Sequence, residues 1–373
     1  MYHRHYLQRP DIGIPHVKIG IISKKQWKVA DFYKRKLDSN IGNCIIILTE
    51  PTTPLIFHAQ PGGTFSFMGC FMYQYPKQIL TIEQQVQSYI DAGMSITSRK
   101  DVEKALKSVG FYRLRGYSFH LYDNVDKKYV PGTKFDDIFQ LYQFDQELSA
   151  LVFAMISKIE VALRVRLVEA LLVRGDALIL QDSSIFKEKK MYWQNMSMIA
   201  SEIARSNDVF IKHNFENHEG EVPVWAVVEV LSFGTLSKII KNLKTGTGSA
   251  YSILAVNYQY TSKKGNLANP SQKMFTSWVQ GVSILRNMCA HNSRIYNRTI
   301  HTTPEILDAD KVTPTPAHNG LYQILLAMKY LRSSDEEWTG FVGELGNLFQ
   351  KNSSVISLTA MNFPTDWKVH LSV

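Results

Sequence analysis

The sequence has few cysteines and none of the short motifs that mark common enzyme sites. Its 373 residues include three cysteines, Cys44, Cys70 and Cys289. Their scatter excludes a disulfide framework and a CxxC metal site, so we expect reduced thiols and a cytoplasmic protein. A Gly-rich phosphate loop, HExxH, GxSxG and clustered Cys/His ligands are all lacking. Most ordinary enzyme classes therefore have no support, and we expect neither a metal nor a cofactor.

Long apolar runs are lacking as well. A membrane-spanning helix needs about 18 or more apolar residues in a row. The best run here, Cys44 to Leu48, is soon interrupted by Glu50 and Pro51. The first ten residues hold no apolar segment of the secretory-signal kind. We therefore expect neither a membrane span nor a secretory leader.

Positive charge is what the sequence has in excess. It contains 42 Lys+Arg against 33 Asp+Glu, a formal net charge of +9. Such an excess makes nucleic acid the first partner to consider. More than half of it lies in residues 1–71, which hold nine Lys+Arg and four Asp+Glu. The case for RNA therefore depends on local clusters of charge.

Residues 1–75 are predicted to be an N-terminal extension to a helical domain at 76–373. Residues 1–71 hold five prolines and no sustained helical or strand period. Within them, 45–48 and 55–57 are candidate short strands. The extension is an irregular appendage, a disordered leader, or a stretch that precedes the true start of translation at Met68 or Met72.

From Thr81 onward the periodicity is helical, and the predicted fold class is mainly α, with an N-terminal subdomain at 76–135. The strongest signal runs from Asp136 to Arg174 and stops at Gly175, as one long helix or two joined end to end. Further helices are predicted at about 81–92, 98–109, 187–205, 223–243, 271–291, 319–331 and 335–349. Residues 111–122, FYRLRGYSFHLY, form an aromatic segment whose glycine and rings favour strand or turn.

One segment concentrates polar and cationic groups at the end of an apolar helix. Residues 286–298, RNMCAHNSRIYNR, contain three arginines, one histidine and three asparagines. At about 100° per residue, Asn287 and His291 share one stripe, whereas Arg286 and His291 lie about 140° apart. Burying polar and charged side chains at the end of a core helix costs free energy unless they are paired with other groups or bind a ligand.

The chemistry that fits this segment is metal-free cleavage of an RNA phosphodiester. The imidazole of a histidine such as His291 exchanges protons near neutral pH. The guanidinium of Arg286 matches phosphate oxygens, and the amide of Asn287 orients the histidine or holds an oxygen. The spacing alone is weak, because it recurs at Arg115 and His120. The non-catalytic alternative is that these cationic side chains only interact with the negative C-terminal end of the helix dipole.

Several blocks outside this segment resemble a known family. Residues 84–93 and 110–117 resemble its opening "Q-I…G…IGYYRLSGY", 158–164 its "IE-x-A-L-R" helix, 222–237 its "P-x-W-x-x-x-E-x-L-S-F-G-x-L-S" run, and 361–367 its closing "M-G-F-P-x-x-W". They occur in the family's order. On these blocks the chain resembles the Abi proteins of phage abortive infection, of the AbiD/AbiF kind, within the HEPN superfamily.

The resemblance implies a HEPN-type helical bundle, here over residues 136–373, which is usually dimeric and has metal-independent endoribonuclease activity used for growth arrest or anti-phage defence. R-x4-6-H motifs from two protomers would meet at one composite site. Arg286 and His291 match the catalytic pair, and Asn287 the polar residue after the arginine. Glu160 and Arg164 lie on the helix that faces the motif, unless Glu160 only pairs with Arg164 at i,i+4.

Other arginines are candidate RNA contacts. Arg294 and Arg298 either bind phosphates or cap the helix end. Arg113 and Arg115 lie among aromatic rings that either stack on RNA bases or pack into the core.

Two hypotheses compete with the nuclease. One is an RNA-binding regulatory HEPN protein that holds a structured RNA without cutting it, and the other is a purely structural helical scaffold. The expected partners are RNA, a second copy of the chain and a possible antitoxin.

Overall fold

The computed structural model describes residues 79–311 and 319–373, together with four strands before them. The chain divides into two units, residues 1–79 and 80–373. The first contains a sheet of β1 (Lys18–Ser23), β2 (Cys44–Thr49), β3 (Leu55–Ala59) and β4 (Phe65–Met68), in that order. β1 and β2 are parallel and the other pairs antiparallel. The strands expected at 45–48 and 55–57 are confirmed, whereas the domain limits at 75 and 76 stay a prediction.

The second unit is mainly α, as predicted. Short antiparallel pairs join β5 (Tyr122–Asp123) to β6 (Lys128–Tyr129) and β7 (Tyr260–Thr261) to β8 (Leu267–Ala268). The α-helices of its described residues are α1 (Ile82–Asp91), α2 (Arg99–Val109), α3 (Phe111–Ser118), α4 (Phe135–Leu172), α5 (Lys189–Arg205), α6 (Val209–Asn217), α7 (Val224–Val230), α8 (Phe233–Asn242), α9 (Ala250–Val256), α10 (Gln272–Ala290), α11 (Leu321–Leu331), α12 (Asp335–Lys351) and α13 (Trp367–Leu371). No helix in the described part of the chain is long and apolar enough to cross a membrane.

Helix α4 packs against the elements that form the candidate site. It runs unbroken for 38 residues, because its sequence contains neither glycine nor proline. Of the two alternatives, one long helix is confirmed. It contacts α3, α7, α9, α10, α11 and α12. Its inward stripe is almost fully buried and consists of Ile138, Leu141, Phe144, Leu148, Val152, Ile156, Ile159, Leu163 and Leu167.

Two parts of the sequence fold differently from the prediction. The aromatic segment begins with a helix, α3, in which Leu114 and Tyr117 point into the core while Gly116 is tolerated. The helix predicted at 223–243 is two helices. Ser232 caps the second, since its hydroxyl accepts a hydrogen bond from the Thr235 amide at 3.2 Å. The buried carboxylate of Glu202 on α5 fixes this break by accepting from the Ser232 amide at 2.8 Å.

A buried carboxylate joins α4 to the residues after α10. Asp145 is fully buried and accepts hydrogen bonds from the Tyr117 hydroxyl at 2.6 Å and the Tyr296 amide at 2.7 Å. The Ile295 amide donates to it as well, at 3.2 Å. Burial raises the pKa of Asp145, and these donors and the Arg294 charge oppose that rise. One side chain therefore holds α3 and the residue 292–296 loop against α4.

We expect Asp145→Ala to lower the free energy of unfolding by about 3 kcal/mol, because it leaves three buried donors without an acceptor. Tyr117→Phe removes one donor and leaves the carboxylate with its two amide partners, so about 1 kcal/mol is expected. Urea unfolding at pH 7 measures both. Equal losses in the two variants would show that the two backbone amides contribute nothing to the role of Asp145.

Candidate active site at the end of helix α10

The predicted motif lies on α10, a helix whose position is set by its buried face. The Ser271 hydroxyl caps its start by accepting from the Met274 amide at 3.2 Å. The residues that pack into the core are Phe275, Trp278, Val279, Val282 and Leu285. With this face fixed, the last turn carries Arg286 toward α4 and leaves Asn287 exposed.

The end of α10 is sharply defined, and this places His291. The Ser293 amide donates to the Met288 carbonyl at 2.8 Å, and the Asn292 amide to the Cys289 carbonyl at 3.0 Å. Asn292 has φ of 52°, so these bonds form a Schellman-type end with asparagine in the left-handed position. His291 is consequently the C-cap residue, directly at the negative end of the helix dipole.

Arg286 and Glu160 face each other across α10 and α4, as the sequence predicted for the motif and its partner helix. The Nε atom of Arg286 lies 3.6 Å from Glu160 Oε2, and its guanidinium lies 5.9 Å from the centre of the Phe153 ring. That Nε is buried and has no hydrogen-bond partner. Glu160 is buried, whereas 38% of the Arg286 side chain is exposed. The guanidinium is therefore held at its inner edge and open at its outer edge.

The Glu160 carboxylate is shared with a second arginine. Arg164 Nη2 donates to Glu160 Oε1 at 2.7 Å. The same guanidinium donates to the carbonyls of Val228 and Leu231, at 2.9 and 3.0 Å, which closes the end of α7. Glu160 thus makes the expected i,i+4 pair and also contacts the motif.

The charges of this cluster do not cancel. Two guanidinium groups, Arg164 and Arg286, share the single carboxylate of Glu160. Since Arg164 is committed to two carbonyls as well, the excess positive charge lies on the exposed side of Arg286. Partly buried charge of one sign attracts a ligand of the opposite sign more strongly than a surface charge does. The cluster is suited to an anion such as phosphate.

Asn287 lies in the last turn of α10 and His291 at its C-cap. Both are exposed, and Asn287 Oδ1 lies 3.4 Å from Arg286 Nη1. In the part of the chain that the structure describes, the His291 imidazole has neither a hydrogen bond nor an ion pair. The His291 ring nitrogens are therefore open to a bound molecule.

Two of the predicted RNA-binding arginines lie beside the motif and tie α3 to the loop after His291. Arg113 Nη1 donates to the Asn292 carbonyl at 2.5 Å. Arg294 donates to the Gly116 carbonyl and lies 5.8 Å from the centre of the Tyr117 ring. The structure therefore brings Arg113, Arg286, His291 and Arg294 into one region.

The other two predicted arginines are placed differently. Arg115 lies over the ring of Tyr122 at 5.1 Å, and Arg298 is exposed, with no ion pair among the described residues. Arg115 and His120, which repeat the motif spacing, do not form a second site with a carboxylate of the Glu160 kind in the described region. Partial burial, and then the Arg294 charge, lower the pKa of His120.

Two contributors to the site were not singled out from the sequence, Asp145 and Phe153. The sequence could have indicated Asp145, since it lies between Leu141 and Leu148 on the apolar stripe of α4, where a buried carboxylate needs hydrogen-bond partners. Nothing in the sequence indicates Phe153, because it packs against Arg286 from a position just beside that stripe.

Among the residues that the structure describes, neither a set of metal ligands nor a reactive thiol accompanies the cluster. No group of three or more His, Cys, Asp or Glu side chains that could hold a metal ion occurs among the described residues. Cys289 is buried, and this burial raises the pKa of its thiol. Cys289 therefore packs as a small apolar residue of α10.

Comparison with known families gives one match, to the sequence model described as Abi-like protein, over residues 104–297. This span is just over half of the chain and contains α3, α4 and α10. A search of curated proteins found no match. A search of solved structures found none either. The resemblance to Abi proteins is thus confirmed, and the chain belongs to the Abi-like protein family, whereas its place in the HEPN superfamily stays a prediction.

Proposed function

We propose that this protein is a metal-independent endoribonuclease of the HEPN type that acts in phage abortive infection. Arg286 and His291 would be its catalytic residues, with Asn287 assisting and Glu160 positioning the arginine. The observation that carries the proposal is the Arg286 guanidinium, which Glu160 holds without neutralising and which lies in the last turns of α10, five residues before the exposed C-cap residue His291. Membership of the Abi-like family supports the biological role.

The chemistry requires a base, an acid and a stabilising cation. An imidazole takes the proton from the ribose 2′-OH, whose oxygen attacks the phosphorus. A second imidazole donates a proton to the 5′-oxygen that leaves, and the guanidinium of Arg286 stabilises the charge that builds up on the phosphoryl oxygens. The products would carry a 2′,3′-cyclic phosphate and a 5′-hydroxyl.

This scheme needs two histidines, and the motif of one chain supplies one. A composite site from two protomers provides the second. Exposed apolar side chains next to Glu160 and Arg164 support such a dimer, namely Val161 and Val165 on α4 and Trp225 on α7, each at least half exposed. Contact between copies over this face would bring the two motifs together.

The alternative function is an RNA-binding regulatory protein that holds a structured RNA without cutting it. Its support is the His291 side chain, which lacks an orienting partner among the described residues, whereas a catalytic base is usually oriented by a third group. In either case a restraining RNA or protein antitoxin would keep the site silent until infection.

We expect His291→Ala to reduce RNA cleavage in EDTA at least a hundredfold, because it removes the proton-transfer group. His301→Ala is the matched control, an exposed histidine ten positions further along the chain, and should cleave like the wild type. Gel analysis of a labelled RNA gives the rates and the product ends. Equal cleavage by wild type and His291→Ala would exclude the nuclease.

Glu160→Gln tests the positioning of Arg286. The amide keeps the shape but loses the charge that orients the guanidinium, so we expect kcat to fall about tenfold while KM changes little. Glu202→Gln is the control, since Glu202 is also a buried carboxylate but caps α8 instead. It should lower the melting temperature and leave kcat unchanged. A loss of kcat in both variants would point to general destabilisation.

Pairing the wild type with an inactive protomer tests the composite site. The double variant Arg286→Ala/His291→Ala is expected to be inactive as a homodimer. Its heterodimer with the wild type keeps one intact motif and only one of the two histidines that the scheme needs, so we expect its cleavage rate to fall at least tenfold below that of the wild type. Co-expression with two affinity tags isolates the heterodimer for assay. Half of the wild-type rate would instead place a complete site within each protomer.

A further inference from the structure

Two exposed aromatic rings, Tyr112 on α3 and Phe119 directly after its last residue, lie beside the candidate site. Tyr112 is 92% exposed and Phe119 is 58% exposed. Neither ring stacks on another ring of the described residues. Single exposed apolar side chains are common, so these two rings are informative only together with the cations beside them.

The helix places both rings on the same side. Residues seven apart return to nearly the same face after two turns, about 10 Å further along the axis. Phe119 continues the helical backbone, with φ of −60° and ψ of −36°. Tyr112 and Phe119 therefore form one aromatic edge of α3, with Gly116 between them on that edge, where no side chain fills the gap.

The neighbouring face of α3 is held against the loop that follows His291. Arg113 donates to the Asn292 carbonyl, and Arg294 donates to the Gly116 carbonyl. Below them, Tyr117 donates to Asp145, which also holds the Ile295 and Tyr296 amides. The aromatic edge is consequently a fixed neighbour of the His291 loop.

The charge of the residues around this aromatic edge indicates which kind of ligand would bind there. Residues 111–120 and 286–301 contain five arginines and not one aspartate or glutamate. A surface that combines exposed rings with guanidinium groups favours single-stranded nucleic acid, whose bases stack on the rings while its phosphates meet the cations. A basic protein surface would find no carboxylate in these two segments with which to pair.

From this arrangement we infer that Tyr112 and Phe119 are a base-stacking subsite for single-stranded RNA, which holds nucleotides next to the one cut at His291. The inference rests on the proposed function for the direction of the RNA strand, but binding at this edge does not require cleavage. Duplex RNA would not use the subsite, because its bases are already stacked and paired.

Fluorescence anisotropy tests the subsite in the full chain with the His291→Ala background, which prevents turnover. The probe is a fluorescein-labelled single-stranded RNA of twelve mixed-sequence nucleotides. Adding Tyr112→Ala should weaken binding about tenfold, and Tyr112→Phe less than about twofold, because the ring alone stacks. Phe119→Ala should act in the same direction. Since Tyr112 is exposed, its removal should leave the melting temperature unchanged.

Trp193→Ala is the matched control, because this ring is 69% exposed on α5, which packs on α7 and α8. It should not change the affinity. An equal loss for Tyr112→Ala and Trp193→Ala, an equal loss on single-stranded and duplex RNA, or no binding of the probe would each overturn the subsite. So would unchanged RNA affinity with a lost dimer in sedimentation, which would assign this edge to a protein contact.

The cleavage assay separates this inference from the proposed function. Cleavage by the wild type with no effect of Tyr112→Ala on binding would overturn the subsite and leave the nuclease intact. Ring-dependent binding without cleavage would retain the subsite and favour the RNA-holding alternative.

Discussion

The buried carboxylate of Asp145 is the interaction on which the geometry of the site depends. Hydrogen bonds at the end of α10 place His291, but the residues from Arg294 onward have no regular secondary structure, so contacts with other elements must fix their position. Asp145 supplies that constraint by accepting two amide donors from Ile295 and Tyr296 and a hydroxyl from Tyr117. A carboxylate inside the core is costly by itself, and the donors offset much of that cost. The same group therefore stabilises the fold and orients the candidate site.

Asp145 has all its partners within the chain, whereas Glu160 leaves part of the positive charge of its two arginine partners unneutralised. A buried ion pair usually contributes little net stability, because desolvation consumes most of the attraction. Here one carboxylate serves Arg164 and Arg286, so the group retains one positive charge at the protein surface. The unsatisfied Nε of Arg286 shows that this arrangement does not maximise hydrogen bonding within one chain. An arrangement of this kind is understandable if an anionic ligand completes it.

Features that depend on local chemistry were predictable from the sequence. The capping box at Thr81, the Ser98 cap and the end of α10 at His291 all follow from residues within one turn of each other. Features that depend on distant partners were not. The break at Ser232 needs a carboxylate from α5, and nothing near Ser232 in the sequence reveals it.

The same distinction separates the predictable and unpredictable parts of the site. The placement of Arg286 and His291 at a helix end, facing Glu160, followed from periodicity and family resemblance. The anchoring of Arg113 and Arg294 did not, because each donates to a carbonyl nearly 180 residues away. A backbone carbonyl is present at every residue and so leaves no pattern in a sequence. The prediction of α3 as strand or turn failed for a related reason, since the contacts that hold its helix come from α4 and the His291 loop.

The use of arginine alone in this region reconciles the structural and the proposed RNA-binding roles. Residues 111–120 and 286–301 contain arginines but no lysine. A guanidinium has five N–H donors in a planar fork, so one that donates to a carbonyl still presents donors to a phosphate. Arg113 contacts the Asn292 carbonyl through Nη1 and keeps its other nitrogens for such a ligand. An ammonium group has no rigid fork and would not be oriented in this way by one carbonyl. Fixing the loop and binding RNA are therefore compatible tasks for the same side chains.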